Sequence, residues 1–419
     1  MIDKCTTKSW ETSLYEPQQL YYNLMGEKIL TDKNVKSAYY MAKYKKSCDS
    51  PAWDGMTRTI LIDGMEQEHA LALIRYHILH GPSGCVKRFD IPKSNGKTRP
   101  ISIYPLLDRV AQWCIMEPLR KACGPLLSPI NHAFLKGKSC KTAFDAFPPA
   151  GEAGYVICGD IHSFFDSVSH SLVRACLWSA GIRDSQLLHT INVTLKTPYK
   201  YPKQPKVRPE QGLPQGAPIS PLLANIILAY MDRYFDALYG DQKLPHMVRY
   251  ADDFVIFCTD RKQAMAVQAQ TWFIKYRLRL DLAPEKTYLV NIKQKPFEFL
   301  GLQFAVKGNE YHKCFPQKNI ERYKADISNC LKTNNITLLN QKSRGWKNYS
   351  EQHSTDRGQF EVLQQHLVHE MVAAEQPYYY AAPEDILLLP KKMQLSHPTV
   401  QDIYISNHDN TEEIILPIK

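Results

Sequence analysis

Two adjacent carboxylates, Asp252 and Asp253, stand in the run Arg249-Tyr250-Ala251-Asp252-Asp253-Phe254-Val255-Ile256-Phe257, flanked on both sides by apolar, β-prone residues. Met247-Val248 and Phe254 to Phe257 predict two strands, and Ala-Asp-Asp supplies the turn between them. The carboxylates would then project from a rigid hairpin tip. Such a pair suits two Mg²⁺ ions that bridge a nucleoside triphosphate and stabilise both an attacking 3′-oxygen and a leaving pyrophosphate, the two-metal form of phosphoryl transfer. On these residues alone a solvated Asp-Asp turn is an equal reading, because short motifs recur by chance. The order of the motifs around the pair decides between them.

The elements that must position the pair follow from periodicity and stop signals. Glu66 to His80 has helical spacing (Ala70, Leu71, Leu73, Ile74, Ile78) and stops at Gly81-Pro82. Val86 to Ile91 and Arg99 to Ile103 predict two strands joined by a Ser94-Asn95-Gly96-Lys97 turn, and Leu106 to Cys123 a helix ended by Gly124-Pro125. Tyr155 to Ile161 is a short buried strand running through Asp160, followed by a helix from Ser171 to Ala180. Between Lys196 and Pro209, Lys200, Lys203, Lys206 and Arg208 alternate with Tyr199, Tyr201 and prolines, an extended basic loop of the kind that tracks a nucleic-acid strand. A proline-stiffened surface loop explains it equally well. Ser220 to Leu238 is apolar nearly all round and predicts a buried helix. A further helix is expected from Lys262 to Leu280, a strand from Tyr288 to Ile292, and a basic helical region from Lys318 to Tyr349.

The 419 residues suggest two or three packed subdomains. No apolar run approaches the ~18 residues of a membrane span, and the polar N-terminus does not read as a signal peptide, so a cytoplasmic protein without membrane contact is expected. The 11 cysteines are scattered without zinc-like spacing, which predicts reduced, mostly buried thiols. Net charge is +10 but uneven: Glu351 to Lys419 holds 4 Lys/Arg against 11 Asp/Glu, leaving 48 against 31 in the rest. A basic body of this size suits a polyanion held along its backbone.

Four motifs follow one another in the order found in reverse transcriptases. Asp160-Ile161-His162-Ser163-Phe164-Phe165-Asp166 resembles the first palm motif of that family, and Gln211-Gly212-Leu213-Pro214-Gln215-Gly216-Ala217-Pro218-Ile219-Ser220-Pro221 the second. Tyr250-Ala251-Asp252-Asp253 resembles the third and Pro284-Glu285-Lys286-Thr287 the fourth. Around them, Lys97-Thr98-Arg99-Pro100-Ile101 with Asp108-Arg109 and Gln112 resembles the fingers, Phe299-Leu300-Gly301 the primer grip, and Arg344-Gly345-Trp346-Lys347-Asn348-Tyr349 the thumb of the bacterial group II intron-like branch. Asp54-Gly55-Met56-Thr57 matches that branch's short N-terminal motif.

The resemblance implies the α+β right-hand polymerase fold, with an antiparallel palm sheet and a helical thumb. It divides the chain into an N-terminal extension (1–50), fingers (51–150), palm (151–305, with 168–210 partly fingers or a loop insertion), thumb (306–350) and an acidic extension of unknown role (351–419). It implies RNA-directed DNA synthesis from dNTPs. Two Mg²⁺ ions, or Mn²⁺, would be held by Asp160, Asp252, Asp253 and the backbone of Ile161, with Lys286 beside the leaving pyrophosphate. Lys97, Arg99, Phe165, Gln215 and Gly216 would surround the nucleotide, with Phe165 excluding a 2′-hydroxyl. Lys200, Lys203, Lys206, Arg208, Leu300, Gly301, Arg344 and Trp346 would touch nucleic acid. One departure is Phe134-Leu135-Lys136-Gly137-Lys138-Ser139, where the family usually has Phe-Arg-Pro-Gly-Arg-Ser, so one arginine contact is missing.

Within the family, the short acidic tail disfavours intron splicing, and no Asn-Ala-x-x-His element or Val-Thr-Gly triplet of retron enzymes is present. What remains is similar to the stand-alone, defence-associated enzymes, whose template is a dedicated, structured non-coding RNA and whose setting is antiviral defence. The rival readings are a group II intron-type enzyme, a template-independent nucleotidyltransferase, and an inert RNA-binding scaffold. Priming is expected from RNA, DNA or a protein hydroxyl. Tyr378-Tyr379-Tyr380 is one candidate for the hydroxyl, although a packing patch is the commoner use of such a run. The oligomeric state is left open by the sequence.

Overall fold

The computed structural model describes residues 15–82, 84–92 and 98–373. Lys97, the expected turn around it and Tyr378 to Tyr380 lie outside the described residues. The chain forms two compact units, one of residues 1–148 with 152–291 and one of 149–151 with 292–419.

The first unit carries strands β1 (Val86–Pro92), β2 (Thr98–Ile103), β3 (Tyr155–Asp160), β4 (Tyr199–Lys200), β5 (His246–Tyr250), β6 (Asp253–Cys258) and β7 (Tyr288–Asn291). They make a three-stranded sheet in the order β2-β1-β4 and a four-stranded antiparallel sheet in the order β5-β6-β3-β7. The larger sheet is built on continuous apolar runs, Val156-Ile157-Cys158 on β3 and Phe254 to Cys258 on β6, all buried. Strands buried on both faces read as such runs, not as alternation. Gly159 is required here: a Cβ at this position would lie 2.2 Å from the Phe254 ring, which crosses directly over the strand. The Ser220–Tyr239 helix is buried without a break from Leu222 to Asp232, as its all-round apolar pattern predicts.

Two expectations fail locally. The predicted helix from Lys262 to Leu280 is two helices, Arg261–Gln270 and Trp272–Tyr276, and its last residues leave helical geometry. Long-range pairing overrides the helical periodicity there: Leu282 bridges Ile161, the His162 amide donates to the Asp281 carbonyl at 2.8 Å, and the Ala283 amide to the Asp160 carbonyl at 2.8 Å. The Lys196 to Pro209 segment is not purely loop. Tyr199 and Lys200 pair in parallel with Val86 and Lys87, and Tyr199 also bridges Val207.

The second unit holds the antiparallel sheet β10 (Glu310–Cys314), β9 (Leu302–Lys307), β8 (Phe297–Phe299), and the helices Gln317–Lys332, Ile336–His353 and Arg357–Ala373. Leu300 and Gly301 form its β8–β9 turn, both at positive φ (50° and 83°), as a two-residue hairpin turn requires. No helix among the described residues is long and apolar enough to cross a membrane. The ten described cysteines are free thiols.

Candidate active site

The predicted hairpin exists. β5 and β6 pair from His246–Phe257 to Tyr250–Asp253, leaving Ala251 and Asp252 as a two-residue turn with Ala251 at φ 56°. A left-handed alanine is strained, and such strain persists only where surrounding contacts hold it. One contact here is the Arg249 guanidinium, which donates to the Ala251 carbonyl at 2.9 Å.

The antiparallel ladder between β3 and β6 ends with Asp160 directly opposite Asp253. Like charges facing each other across a ladder destabilise it, and the titration behaviour reflects this. Burial, then Asp160 and Asp252, pushes the Asp253 carboxyl up to about 8. Burial and then the charge of Asp160 also raise Asp252, with Lys286 and Arg99 opposing. Motif spacing alone does not show this register. It follows from two strands 93 residues apart ending at the same rung.

Lys286 lies against this cluster, its ammonium 2.6 Å from Asp160 Oδ2. Burial acts to lower its pKa, but the hydrogen bond and charge of Asp160, with Asp253 and Asp252 behind, raise it above the ordinary lysine value. Its turn is tied back to the same strand through Ala283, whose carbonyl accepts from the Lys286 amide at 3.0 Å. Ile161 is buried beside Asp160, in the bridge to Leu282. Arg99 lies at the exposed start of β2, with its charge felt at Asp252.

The Gln211–Gly216 segment is fastened on both sides. The Leu213 amide donates to the Phe165 carbonyl at 2.6 Å, and the Gly212 amide to the Val168 carbonyl at 2.7 Å. The Ser102 amide of β2 donates to the Gln215 carbonyl at 2.7 Å. At Gly216 (φ 109°) a Cβ would lie 2.2 Å from the Ser102 carbonyl oxygen, so glycine serves this backbone contact. Gln215 Nε2 reaches Asp166 Oδ2 at 3.5 Å, and the half-buried Phe165 ring packs edge-on against Phe164 at 5.6 Å. Phe165, Gln215 and Gly216 are thus held in one stitched group.

Other residues fall elsewhere. Arg109 of the fingers motif is buried and donates to the Ser47 and Ser50 carbonyls at 2.6 and 2.9 Å, so it ties a loop down. Lys203, Lys206 and Arg208 are exposed, and Lys200 is half-buried with its ammonium 5.5 Å from the Trp53 ring. Arg88, Tyr199 and Arg208 border a cavity of 270 Å³ with Asp166 and Gln211, and the Arg88 guanidinium lies 4.1 Å over the Tyr199 ring. In the second unit the Leu300 carbonyl accepts from Tyr349 at 2.6 Å and that of Gly301 from Asn319 at 3.0 Å. Arg344 is exposed on the Ile336–His353 helix, whereas Trp346 packs between Phe315 and Tyr323 (4.4 and 4.6 Å).

As the side chains stand, no group of three or more His, Cys, Asp or Glu among the described residues is placed to hold a metal ion. The donor set nevertheless has the right chemistry. Hard oxygen ligands suit Mg²⁺, and a divalent cation among the three carboxylates would relieve the repulsion that helps raise the Asp252 and Asp253 pKa values.

Residues 91–304 match the reverse transcriptase (RNA-dependent DNA polymerase) family. The chain belongs to that family. Its mixed helical and antiparallel-sheet architecture is the α+β right-hand polymerase fold of reverse transcriptases. Protein YkfC of Escherichia coli (strain K12) is 28% identical over 333 residues, 68% of this chain and 85% of YkfC. The group II intron-encoded protein LtrA of Lactococcus lactis subsp. cremoris is 27% identical over 288 residues, 53% of this chain and 47% of LtrA, so the match spans about half of that relative. The retron Mx162 reverse transcriptase of Myxococcus xanthus is 29% identical over 182 residues, 41% of this chain and 36% of the relative. The group II intron-like resemblance is borne out by these similarities.

The pair of residues that sequence reasoning missed is Arg249 and Asp232. The signal was present: Asp232 is an acidic residue ending the apolar, buried run from Leu222, and a buried carboxylate demands a partner.

Proposed function

We propose that this reverse transcriptase copies RNA into DNA by two-metal nucleotidyl transfer, with Asp160, Asp252 and Asp253 as the metal-binding carboxylates. The observation that carries this reading is the Asp160–Asp253 rung with Asp252 at the adjoining tip. Two Mg²⁺ ions bound there would supply the charge that lowers the pKa of a primer 3′-hydroxyl and stabilises the leaving pyrophosphate. The chain's own part is positioning. The ladder fixes Asp160 against Asp253, the Ala251 turn aims Asp252, and Lys286 supplies a fixed positive charge beside the carboxylates. Arg99 would face the triphosphate, and Lys97 is assigned the same part on the motif alone. Phe165 and the Gln215-Gly216 backbone bound the sugar and base. Domain roles are assigned as the sequence expects, with the β5–β6–β3–β7 sheet as palm and residues 306–350, which carry the Gln317–Lys332 helix and most of the Ile336–His353 helix, as thumb.

The experiment is dNTP incorporation on a primed RNA template by wild type and Asp252→Asn. Loss of several kcal/mol of transition-state stabilisation should leave below about a hundredth of the activity. Retention of more than about a tenth by a folded variant overturns the assignment. Replacing dNTPs by NTPs, and omitting the template, separates this activity from RNA synthesis and from template-independent transfer.

The biological setting we propose is antiphage defence with a dedicated, structured non-coding RNA as template. It rests on the motif resemblance. Plaque formation on cells carrying the wild-type locus, the Asp252→Asn enzyme or the locus without its adjacent RNA tests it, and equal phage sensitivity in all three sinks it.

A further inference from the structure

One surface of the first unit takes no part in the chemistry above. Between Asp260 and Asp281, residues 261–280 carry five cations (Arg261, Lys262, Lys275, Arg277, Arg279) and no carboxylate. Their second half is sharply two-sided. Phe273, Ile274, Leu278 and Leu280 are buried to within 2% exposure, whereas Trp272 is 39% and Tyr276 69% exposed. Lys275, Arg277 and Arg279 are exposed with the two rings.

The aromatic pair is held in place. The Trp272 and Tyr276 centroids are 6.2 Å apart, and Tyr234 buttresses Trp272 edge-on at 6.1 Å while its hydroxyl donates to Gln270 at 2.7 Å. The Arg277 guanidinium lies 5.9 Å from the Trp272 ring. Lys275 meets Asp281 at 3.9 Å, but both are largely in water, where such a pair is worth little, so the cation remains open to another anion. Left-handed backbone at Arg279 (φ 54°) follows the short helix.

We propose that this Trp272–Arg279 face binds a single-stranded segment of RNA away from the catalytic carboxylates. Two exposed rings fixed beside a run of cations combine base stacking with phosphate neutralisation, the two components of single-strand binding. Duplex bases are already stacked and offer no free face, which favours unpaired nucleotides. The choice of RNA among polyanions rests on the reverse transcriptase reading.

The test uses the full chain and a fluorescein-labelled, unstructured RNA 20-mer, with a blunt RNA duplex and anionic phosphatidylserine vesicles as comparisons. Trp272→Ala with Tyr276→Ala should weaken single-strand binding by about tenfold or more. Lys275, Arg277 and Arg279 changed together to Gln should lower the slope of log affinity against log salt by about 2. Incorporation at saturating primed template should stay at the wild-type rate in both variants. If Trp272→Ala lowers the melting temperature, Tyr276→Ala alone carries the test, because that ring is mostly in solvent. Single-strand affinity within twofold of wild type overturns the proposal, as does an equal loss for the duplex. Loss of vesicle binding with RNA binding intact makes the face a lipid contact and overturns it as well. Failure of the polymerase reading looks different: wild type would bind the 20-mer yet incorporate no nucleotide.

Discussion

Arg249 and Asp232 form a fully buried, two-pronged ion pair: Nε donates to Oδ1 at 2.7 Å and Nη2 to Oδ2 at 2.5 Å, with both side chains 0% exposed. The third arm of the same guanidinium holds the Ala251 carbonyl, and the Arg249 backbone bonds to Ile130 and His132. One side chain therefore ties the turn bearing Asp252 to the Ser220–Tyr239 helix. A buried fork of this kind is specific to arginine, since lysine offers a point charge without the fixed geometry.

Breaking the pair should cost both stability and activity. Asp232→Asn or Arg249→Met leaves one buried charge without its partner, worth about 3–5 kcal/mol of unfolding free energy. The double change Asp232→Leu with Arg249→Met removes both charges and should recover much of that stability. It should not recover activity, because the Ala251 carbonyl still lacks its donor. Thermal melts alongside single-turnover incorporation check this, and a double variant with wild-type rate would show that the turn needs no such clamp.

Phe165→Val should relax sugar selection more than it lowers rate. The Phe165 backbone is fixed by its carbonyl contact to Leu213, so removing the ring leaves the main chain in place. Discrimination between dNTP and NTP should fall by about tenfold or more, the scale expected when a pocket loses steric bulk. Unchanged discrimination in single-turnover assays would return Phe165 to a packing role alongside Phe164.

Magnesium dependence should follow the titration of the carboxylate cluster. Asp253 sits near 8 in the folded protein and near its ordinary 3.8 when unfolded. Between these values the folded state retains a proton the unfolded state has released, so metal-free stability should fall as pH rises from about 4 to about 8. Magnesium favours the ionised carboxylates and should offset that loss. The Mg²⁺-induced rise in melting temperature is therefore expected to be larger at pH 8 than at pH 6, and Asp253→Asn should flatten both trends. A magnesium effect that is the same at both pH values, and insensitive to Asp253→Asn, would place the binding elsewhere.

Much of the site was legible because its residues sit in short, ordered motifs whose local chemistry is self-sufficient. The β5–β6 hairpin follows from apolar flanks and a two-residue turn, and the Ser220–Tyr239 helix from its continuous apolar pattern. What escaped depends on contacts between distant segments. Leu278 to Leu280 fall within the expected helix yet leave helical geometry, with Arg279 left-handed, as the chain turns to pair Leu282 with Ile161. Arg109 is read in sequence only as part of the fingers motif, while its bonds go to the Ser47 and Ser50 carbonyls some 60 residues away. Neither the Asp160–Asp253 register nor the Arg249 clamp is encoded within any single stretch of chain.

The basic segment after Thr197 lies beside an exposed indole. The Lys87 and Lys200 ammoniums lie 5.7 and 5.5 Å from the exposed Trp53 ring, giving a stacking face flanked by cations on the β1–β4 pairing. Exposed Lys203 and Lys206 extend the same charge. Changing Lys200, Lys203 and Lys206 to Glu should weaken RNA binding steeply and reduce its salt slope by about 2, since each lysine accounts for about 0.7 of a released counterion on a single strand. Trp53→Ala should weaken binding without changing that slope, because stacking releases no counterion. The rate at saturating RNA should persist in both, as neither touches Asp160, Asp252 or Asp253. Full RNA affinity in the triple variant would assign these lysines to a solvated surface and leave the template path to other residues.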